Sequence, residues 1–246
     1  MPKPKHGLPD WGITVGGITT YQLLDVGEMA VRLGSPVSFD RRGEVIDIDS
    51  FENGLGNWST VATGAGASVY LSLTRSRTGL YAVKLTASSD PAQYSMIGKT
   101  LTYPIPSNLG FEISLCVDSP IAMFDIILRI YNGTAITRYD IRYDRATQTF
   151  YYLNAAAAYV PFATGIYLDA GQAPFVPSKL VLDIINNCYL RFIFGTHHFD
   201  LSGLSGYVIP TALQPEIIFN FELWGGTALN PAVYVDDFIF TQNEPD

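Results

Sequence analysis

Short runs in which apolar and polar side chains alternate recur along most of the chain, and turn residues follow each of them. This period of two is typical of β-strands with one buried face. Asn132-Gly133, residues 144–147 and Asn186-Asn187 separate neighbouring runs and favour tight turns between antiparallel strands. The runs are SVYLSLT, LYAVKLTA, FEISLCVD, FDIILRIYNG, ITRYDIRYD, TFYYLN, KLVLDII, CYLRFIFG, EIIFNFELW and VYVDDFIFTQ, and before them VSFDRRGEVIDID predicts a hairpin around residues 40–43. Because they do not alternate with helices or repeat at a fixed period, they predict an all-β fold built as a two-sheet antiparallel sandwich.

The start of the chain departs from this pattern. Residues 1–18 are rich in Pro and Gly and lack periodicity, which indicates an extended arm. The stretch TTYQLLDVGEMAVRLGSP then predicts one short α-helix, with capping-box spacing at its start and a Gly and a Pro at its end. Its apolar positions share one face: Leu23, Val26, Ala30 and Leu33. We therefore expect an N-terminal arm and helix over residues 1–36, used for subunit contacts, ahead of a β-sandwich over residues 37–246.

The chain is acidic, with 15 Lys and Arg against 23 Asp and Glu and a formal net charge of −8. Binding to a phosphate backbone needs clustered positive charge, so nucleic acid is not expected as a partner. No segment reaches the roughly 18 apolar residues that a membrane span requires, and the start MPKPKHGLPDWG lacks the apolar core of a signal peptide. We expect no membrane partner, and a protein that either stays in its cell or leaves without a cleaved signal.

Cys116 and Cys188 both lie in strand-like runs. A disulfide between them and two separate buried thiols are both open alternatives. Nothing in the sequence indicates an oxidising compartment, which favours the thiols.

Three stretches carry a family resemblance: IDSFENGLGNWS within residues 46–59, SRTGLYAVKLTAS at 76–88 and VYVDDFIFTQ at 233–242. They resemble the opening, the third-strand region and the closing strand of carbohydrate-binding-module-like jelly rolls. The resemblance spans residues 46–242, with no diagnostic motif in the middle. It implies that the sandwich is a jelly roll whose first and last strands are neighbours.

The same resemblance implies a structural calcium ion held by acidic residues of the first and last strands. Glu52 and one of Asp236 or Asp237 would be ligands, with a backbone carbonyl from residues 78–84. Strand alternation predicts that Asp236 and Asp237 point to opposite faces, so that only one serves and the other meets solvent. The alternative is an inward aspartate that accepts hydrogen bonds from backbone amides or Tyr hydroxyls.

Candidate catalytic residues do not fit a known pattern. The stretch GEVIDIDSFE resembles the catalytic strand of laminarinase-type glycosidases, but Asp47 and Asp49 share a face while Glu44 lies on the other. The adjacent His197 and His198 would face opposite ways on a strand, so a hairpin-edge pair is favoured over a zinc site. We therefore expect no enzymatic activity.

Aromatic residues are the remaining candidates for a site. Trp58, Tyr151, Tyr152 and Trp224 would suit a glycan-binding platform, although alternating aromatics in a sandwich also serve as core or cross-strand pairs. Sparse charge favours protein contacts, and the order of helix, hairpin and jelly roll is similar to that of phage structural proteins. The leading hypothesis is a non-enzymatic structural or assembly protein of a virion or extracellular array, with copies of itself or other structural proteins as partners. The alternative is a carbohydrate-binding module whose partner is a glycan.

Overall fold

The computed structural model describes residues 43–168, 174–227 and 230–245, together with two short strands near the N-terminus. These are β1 (Ile13–Thr14) and β2 (Gly17–Ile18), which pair with each other in antiparallel fashion. The predicted helix, over residues 19–36, lies outside the described residues. The arm, the helix and the domain boundary at residue 37 therefore stay predictions.

The described residues from 43 onward form sixteen strands. They are β3 (Glu44–Asp49), β4 (Ser59–Ala62), β5 (Ser68–Ser72), β6 (Ala82–Thr86), β7 (Tyr94–Thr102), β8 (Asn108–Val117), β9 (Met123–Tyr131), β10 (Ala135–Asp144), β11 (Thr149–Leu153), β12 (Tyr159–Thr164), β13 (Val176–Asp183), β14 (Cys188–Phe194), β15 (His197–Asp200), β16 (Tyr207–Pro210), β17 (Glu216–Trp224) and β18 (Ala232–Gln242). The part of the chain that the structure describes contains no helix long and apolar enough for a membrane crossing.

Two antiparallel sheets of eight strands each face one another. The first sheet has the order β15-β14-β13-β8-β18-β6-β5, with β3 also paired to β18. The second has the order β12-β11-β10-β9-β17-β7-β4, with β16 also paired to β10. The all-β jelly-roll sandwich is confirmed, and so is the pairing of the first strand of the sandwich with the last.

Alternation along the strands separates a core face from an outer face. On β9, Phe124, Ile126, Leu128 and Ile130 belong to the apolar core between the sheets, while the intervening Asp125, Ile127, Arg129 and Tyr131 do not. The core draws on both sheets, because an apolar face of each sheet leaves water only by packing on the other. The outer face of the second sheet thereby receives most of the charged residues of its central strands.

The three predicted turns join β9 to β10, β10 to β11 and β13 to β14, as expected. Five strands were not among the predicted runs: β4, β7, β12, β15 and β16. Four of them are short, and β7, YSMIGKTLT, is interrupted by Gly98 and Lys99. His197 and His198 do lie on a hairpin-edge strand, β15. Cys116 and Cys188 are free thiols, the first buried and the second half-buried, so they form no disulfide with each other.

Candidate functional site

A β-bulge in the last strand places the two adjacent aspartates. The register of β18 against β8 shifts between Asp236 and Ile239, and Asp237 has a positive φ of 50°. The bulge breaks the alternation of side chains. The prediction that one of the two aspartates meets solvent is therefore wrong: Asp236 is fully buried and the Asp237 side chain is only 13% exposed.

Asp236 accepts hydrogen bonds from the backbone. Its Oδ2 accepts from the amides of Arg77 at 2.7 Å and Thr78 at 3.3 Å, and its Oδ1 accepts from the amide of Asp237 at 2.8 Å. Burial raises the pKa of Asp236 to about 7, with a further upward contribution from the Asp237 charge, and the amides offset part of this. Asp236 thus matches the alternative of a hydrogen-bonded aspartate.

Glu52 and Asp237 hold the same loop. Glu52 Oε1 accepts from the amides of Leu80 and Tyr81, both at 2.8 Å. Asp237 pairs with Arg77 Nη1 at 3.2 Å and accepts from Thr78 Oγ1 at 2.5 Å. Burial raises the pKa of Asp237, and the negative charge of Glu52 adds to this increase. The hydrogen bond from Thr78 and the positive charge of Arg77 lower the pKa and offset part of the increase. Carboxylates from the first and last strand regions therefore fix residues 77–81.

This arrangement fits a calcium ion only in part. Both oxygens of Asp236 already accept amide hydrogen bonds, which favours Asp237 as the aspartate ligand. Among the described residues there is no group of three or more His, Cys, Asp or Glu that could hold a metal ion. Glu52, Gly79 and Asp237 do line a cleft of about 610 Å³, but Arg77 already neutralises Asp237. Calcium at Glu52 and Asp237 stays a prediction.

The other side of this cleft is occupied by a lysine. Lys99 Nζ lies 2.5 Å from Asp47 Oδ2 and 3.6 Å from Asp49 Oδ2, so these two carboxylates do share a side as predicted. The ammonium also lies 5.2 Å from the ring centroid of Trp58, whose Nε1 donates to Asp49 at 2.9 Å. Trp58 is 7% exposed and packs in the core beside Phe238. The prediction that it contributes to a glycan platform is wrong, because its ring lies in the core between the sheets, against Phe238 of the first sheet and Phe219 of the second.

Polar side chains gather on the outer face of the second sheet. We call this surface the outer face; its residues come from β7, β17, β9, β10, β11 and β12. Asp125, Asp140, Asn220 and Glu222 form its floor and are almost fully buried. Its half-buried rim consists of Tyr94, Arg129, Arg138, Arg142, Tyr151, Tyr159 and Trp224. Strand pairing creates the surface, because residues remote in sequence become cross-strand neighbours.

Two arginines on the outer face are paired with floor carboxylates. Arg142 binds Asp125 in bidentate fashion, with nitrogen–oxygen distances of 2.8 and 2.7 Å, and Trp224 Nε1 donates to the same carboxylate at 3.0 Å. Arg138 pairs with Asp140, which also accepts from the Tyr159 hydroxyl at 3.0 Å. Burial raises the pKa of Asp125, and Arg142 lowers it.

Arg142 also fixes a neighbouring ring. Its guanidinium lies 3.8 Å from the centroid of Tyr159. Burial raises the pKa of Tyr159, and the charges of Asp125 and Asp140 raise it further, so its hydroxyl remains a donor. The two ion pairs and this ring preorganise the floor.

Glu222 and Arg129 remain outside these two ion pairs. Burial and the charge of Asp125 raise the pKa of Glu222 to about 7, and Arg129 lowers it only partly. With the Asn220 amide oriented so that both of its ends are satisfied, its oxygen accepts from Arg129 Nη1 at 3.0 Å and its nitrogen donates to the Phe219 carbonyl at 2.8 Å. Among described residues Arg129 forms no ion pair, so its positive charge is available to a ligand.

Two of the four predicted platform residues reach the outer face. Trp224 lies beside Tyr94, with ring centroids 5.3 Å apart, and Tyr151 stands opposite Arg142 in the register of β10 and β11. Tyr152 instead packs against the core and against Tyr189, so its prediction as a platform residue is wrong. Alternation along β11 decides which tyrosine faces out, because Tyr152 shares the core side with Phe150 and Tyr151 points the other way.

Sequence analysis did not single out the charged residues of this site. Asp125, Arg129, Asp140 and Glu222 each look like ordinary outward positions of a half-buried strand. The available signal is that FDIILR, RYDIRYD and FNFELW each carry their charged and amide side chains on one face of an otherwise apolar run. These residues are recognised as one site only when the pairing of β10 with β9 and of β9 with β17 is known.

Comparison with known proteins places the fold. The sequence matches no protein-family model and no curated protein. Among solved structures, the chain is similar to "Cellulose induced protein, Cip1", with a TM-score of 0.54 and 15% identity over 79% of this chain and 96% of the other. It is also similar to the endo-β-1,4-glucuronan lyase from the fungus Trichoderma reesei, with a TM-score of 0.54 and 12% identity over 80% and 95% of the two chains. The carbohydrate recognition domain of Emp47p gives a TM-score of 0.51 and 11% identity over 85% and 99%. At these identities the likeness establishes the shared jelly-roll β-sandwich fold and nothing narrower.

Proposed function

We propose that the protein binds carbohydrate on the outer face. The observation that carries this proposal is the placement of the Trp224 and Tyr94 rings beside a preorganised floor of carboxylates, guanidinium groups and an amide. Sugar rings combine apolar faces with hydroxyl groups, so a site for them needs both flat aromatic surface and fixed hydrogen-bonding groups. Both are present on this one surface.

The comparisons support this function over the assembly role that the sequence analysis placed first. One of the similar structures is the carbohydrate recognition domain of Emp47p, and another is a lyase that acts on the polysaccharide glucuronan. No observation on the described residues favours a virion component. The assembly role depends on residues 1–36 and stays a prediction, as does the location of the protein.

We propose binding without catalysis. Hydrolysis of a glycosidic bond needs two carboxyl groups that both reach the sugar. On the outer face, Asp125 and Asp140 are held by Arg142 and Arg138. Of the three outer-face carboxylates, Glu222 alone is outside an ion pair, and its pKa of about 7 suits a general acid or base. Hydrolysis needs a second carboxyl group that is equally available, and Asp125 and Asp140 are not.

We propose a structural role for a calcium ion, separate from glycan binding. Glu52 and Asp237 are the carboxylates that would hold it, beside the loop at residues 77–81 that they already fix. A bound ion would supply positive charge between two carboxylates of the same cleft. It would stabilise the loop and has no contact with the outer face in this proposal.

The test is binding of soluble polysaccharides by affinity electrophoresis and calorimetry. Trp224→Ala and Tyr94→Ala should weaken binding several-fold, since each removes ring surface. Trp224→Phe keeps a ring but removes the donor to Asp125, and should weaken binding less than Trp224→Ala. Tyr70→Ala is the matched control, because Tyr70 is a 47% exposed aromatic on the first sheet. Equal loss in the Tyr70 and Trp224 variants, or no binding of any glycan by the parent, would overturn the proposal.

A further inference from the structure

Two arginines face each other across adjacent strands of the outer face. Arg129 on β9 and Arg138 on β10 are direct partners in the antiparallel register. Side chains in such positions have Cβ atoms about 4.5–5.5 Å apart, and like charges there repel. Arg138 is compensated by Asp140, whereas Arg129 contacts the neutral amide of Asn220. The pair is an arrangement that an anion would stabilise.

The charge balance of the outer face leaves this positive charge uncompensated near neutral pH. The outer face has three arginines and three carboxylates in its floor and rim. Two of the carboxylates already form ion pairs, Asp125 with Arg142 and Asp140 with Arg138. Only Glu222 is left to balance Arg129. With a pKa raised to about 7, mainly by burial, Glu222 is partly protonated at neutral pH. The strand pair therefore presents a positive centre although the whole chain carries −8.

The dimensions of the outer face match a chain of several sugar units. The aromatic pair lies at one end, where Trp224 is the register partner of Met123. The arginine pair lies six residues further along β9, about 20 Å away at roughly 3.3 Å per residue. Between the two ends lie the buried polar groups of Asp125, Glu222 and Asn220. A ligand that spans both ends has to be an oligomer.

Resting on the proposed function, we infer that the ligand is an acidic oligosaccharide, with a uronate carboxylate seated between Arg129 and Arg138. A planar guanidinium can donate two parallel hydrogen bonds to a carboxylate, which a neutral sugar does not accept. The partly buried position of both arginines makes such hydrogen bonds stronger than on an open surface. Neutral units of the same chain lie against Trp224 and Tyr94.

The test compares oligosaccharides that differ only in the carboxylate. The probes are a β-1,4-glucan oligosaccharide and its C6-oxidised counterpart, titrated calorimetrically at physiological salt. A fully methyl-esterified polygalacturonate oligomer and its de-esterified form serve as a second pair, because they share one backbone and differ only in the free carboxylate. The protein should prefer the acidic partner about tenfold or more, as expected for charge-assisted hydrogen bonds. Arg129→Gln should abolish that preference, so that the acidic and the neutral chain bind the variant with equal affinity. Arg145→Gln is the control: it makes the same charge change in the turn after β10, seven residues from Arg138, and should preserve the preference.

The outcomes separate this inference from the function on which it rests. Equal affinity for neutral and acidic chains would overturn the acidic ligand and leave carbohydrate binding intact. Binding of neither chain would overturn both. A sulfated chain of the same backbone is the third arm. If it is preferred over the uronate, or if Arg145→Gln weakens acidic binding as much as Arg129→Gln does, the carboxylate site is overturned in favour of general attraction to anions.

Discussion

Glu222 is the residue through which pH acts on the outer face. Charged and titratable groups surround it on three other strands: Asp125 and Arg129 on β9, Asp140, Arg138 and Arg142 on β10, and Tyr159 on β12. Its partner on β7 is the uncharged Met96. Its pKa of about 7 lies far above that of an ordinary glutamate, because burial disfavours the charged form. Small changes of pH around neutrality therefore change the charge beside Arg129.

We predict that affinity for the acidic oligosaccharide rises as pH falls from about 8 to about 6. Protonation of Glu222 removes the negative charge that competes for Arg129, whereas a uronate stays ionised in this range. Glu222→Gln should flatten the pH profile and bind several-fold more tightly than the parent at pH 8. Calorimetric titration at several pH values measures both. A parent profile that is already flat would contradict the role of Glu222.

Stability should respond to the same group with a defined sign. Below its ordinary pKa near 4.5, Glu222 is protonated in both the folded and the unfolded protein. Between about 4.5 and 7 the folded state keeps a proton that the unfolded state releases, so the free energy of unfolding falls as pH rises. Asp236, with its pKa also raised to about 7, acts in the same direction. Glu222→Gln should remove one part of this slope and leave the part due to Asp236.

At the scale of elements, the bulged β18 and the loop at residues 77–81 form one unit. Asp236 accepts the amides of Arg77 and Thr78, and Glu52 accepts those of Leu80 and Tyr81. Four backbone donors of the loop thus depend on two carboxylates. Since each unsatisfied buried donor costs about 1–3 kcal/mol, this loop is sensitive to either substitution.

We predict that Asp236→Asn lowers the melting temperature whether or not calcium is present. The amide nitrogen that replaces one oxygen does not accept the loop amides, so a loss of about 2 kcal/mol or more is expected. In a chain of this length that corresponds to about 4–8 °C. Thermal unfolding of the parent and the variant, each with calcium and with chelator, measures this loss. Glu216→Gln, at the start of β17, is a control that should have little effect.

The calcium prediction is tested in the same experiment. An ion at Glu52 and Asp237 would stabilise the folded state by about 2.7 kcal/mol at a free concentration of 100 times Kd. Chelation should then lower the melting temperature of the parent, and Glu52→Gln should abolish that response while Asp236→Asn keeps it. An identical melting curve in excess calcium and excess chelator would reject the ion, and leave Glu52 and Asp237 as partners of the loop alone.

At the scale of the whole molecule, the described apolar core draws on both sheets of the sandwich. The main apolar core extends from Phe51 on the N-terminal side to Phe240 on the C-terminal side. We therefore expect deletion of residues 1–36 to leave a folded sandwich. If the segment serves assembly, native mass measurement should show a smaller oligomer for the truncated protein, with glycan binding retained. An unchanged mass would contradict the assembly role.

The sequence by itself determined the all-β architecture. Alternation along FDIILRIYNG and ITRYDIRYD identified β9 and β10, and the Asn-Gly turn between them identified their antiparallel pairing. These are local properties, because the period of side chains and the preference for a tight turn are encoded within a few residues. The same applies to the shared face of Asp47 and Asp49 on β3.

Only the tertiary structure decided which residues form a site. Trp58 and Trp224 looked alike in the sequence, yet Trp58 is buried in the core between the two sheets and Trp224 lies on the outer face. The bulge that turns Asp236 and Asp237 toward one loop depends on the pairing of β18 with β8, and the facing of Arg129 and Arg138 depends on the register of β9 with β10. Burial and charge pairing join residues remote in the chain, so they appear only after the sheets have paired and packed.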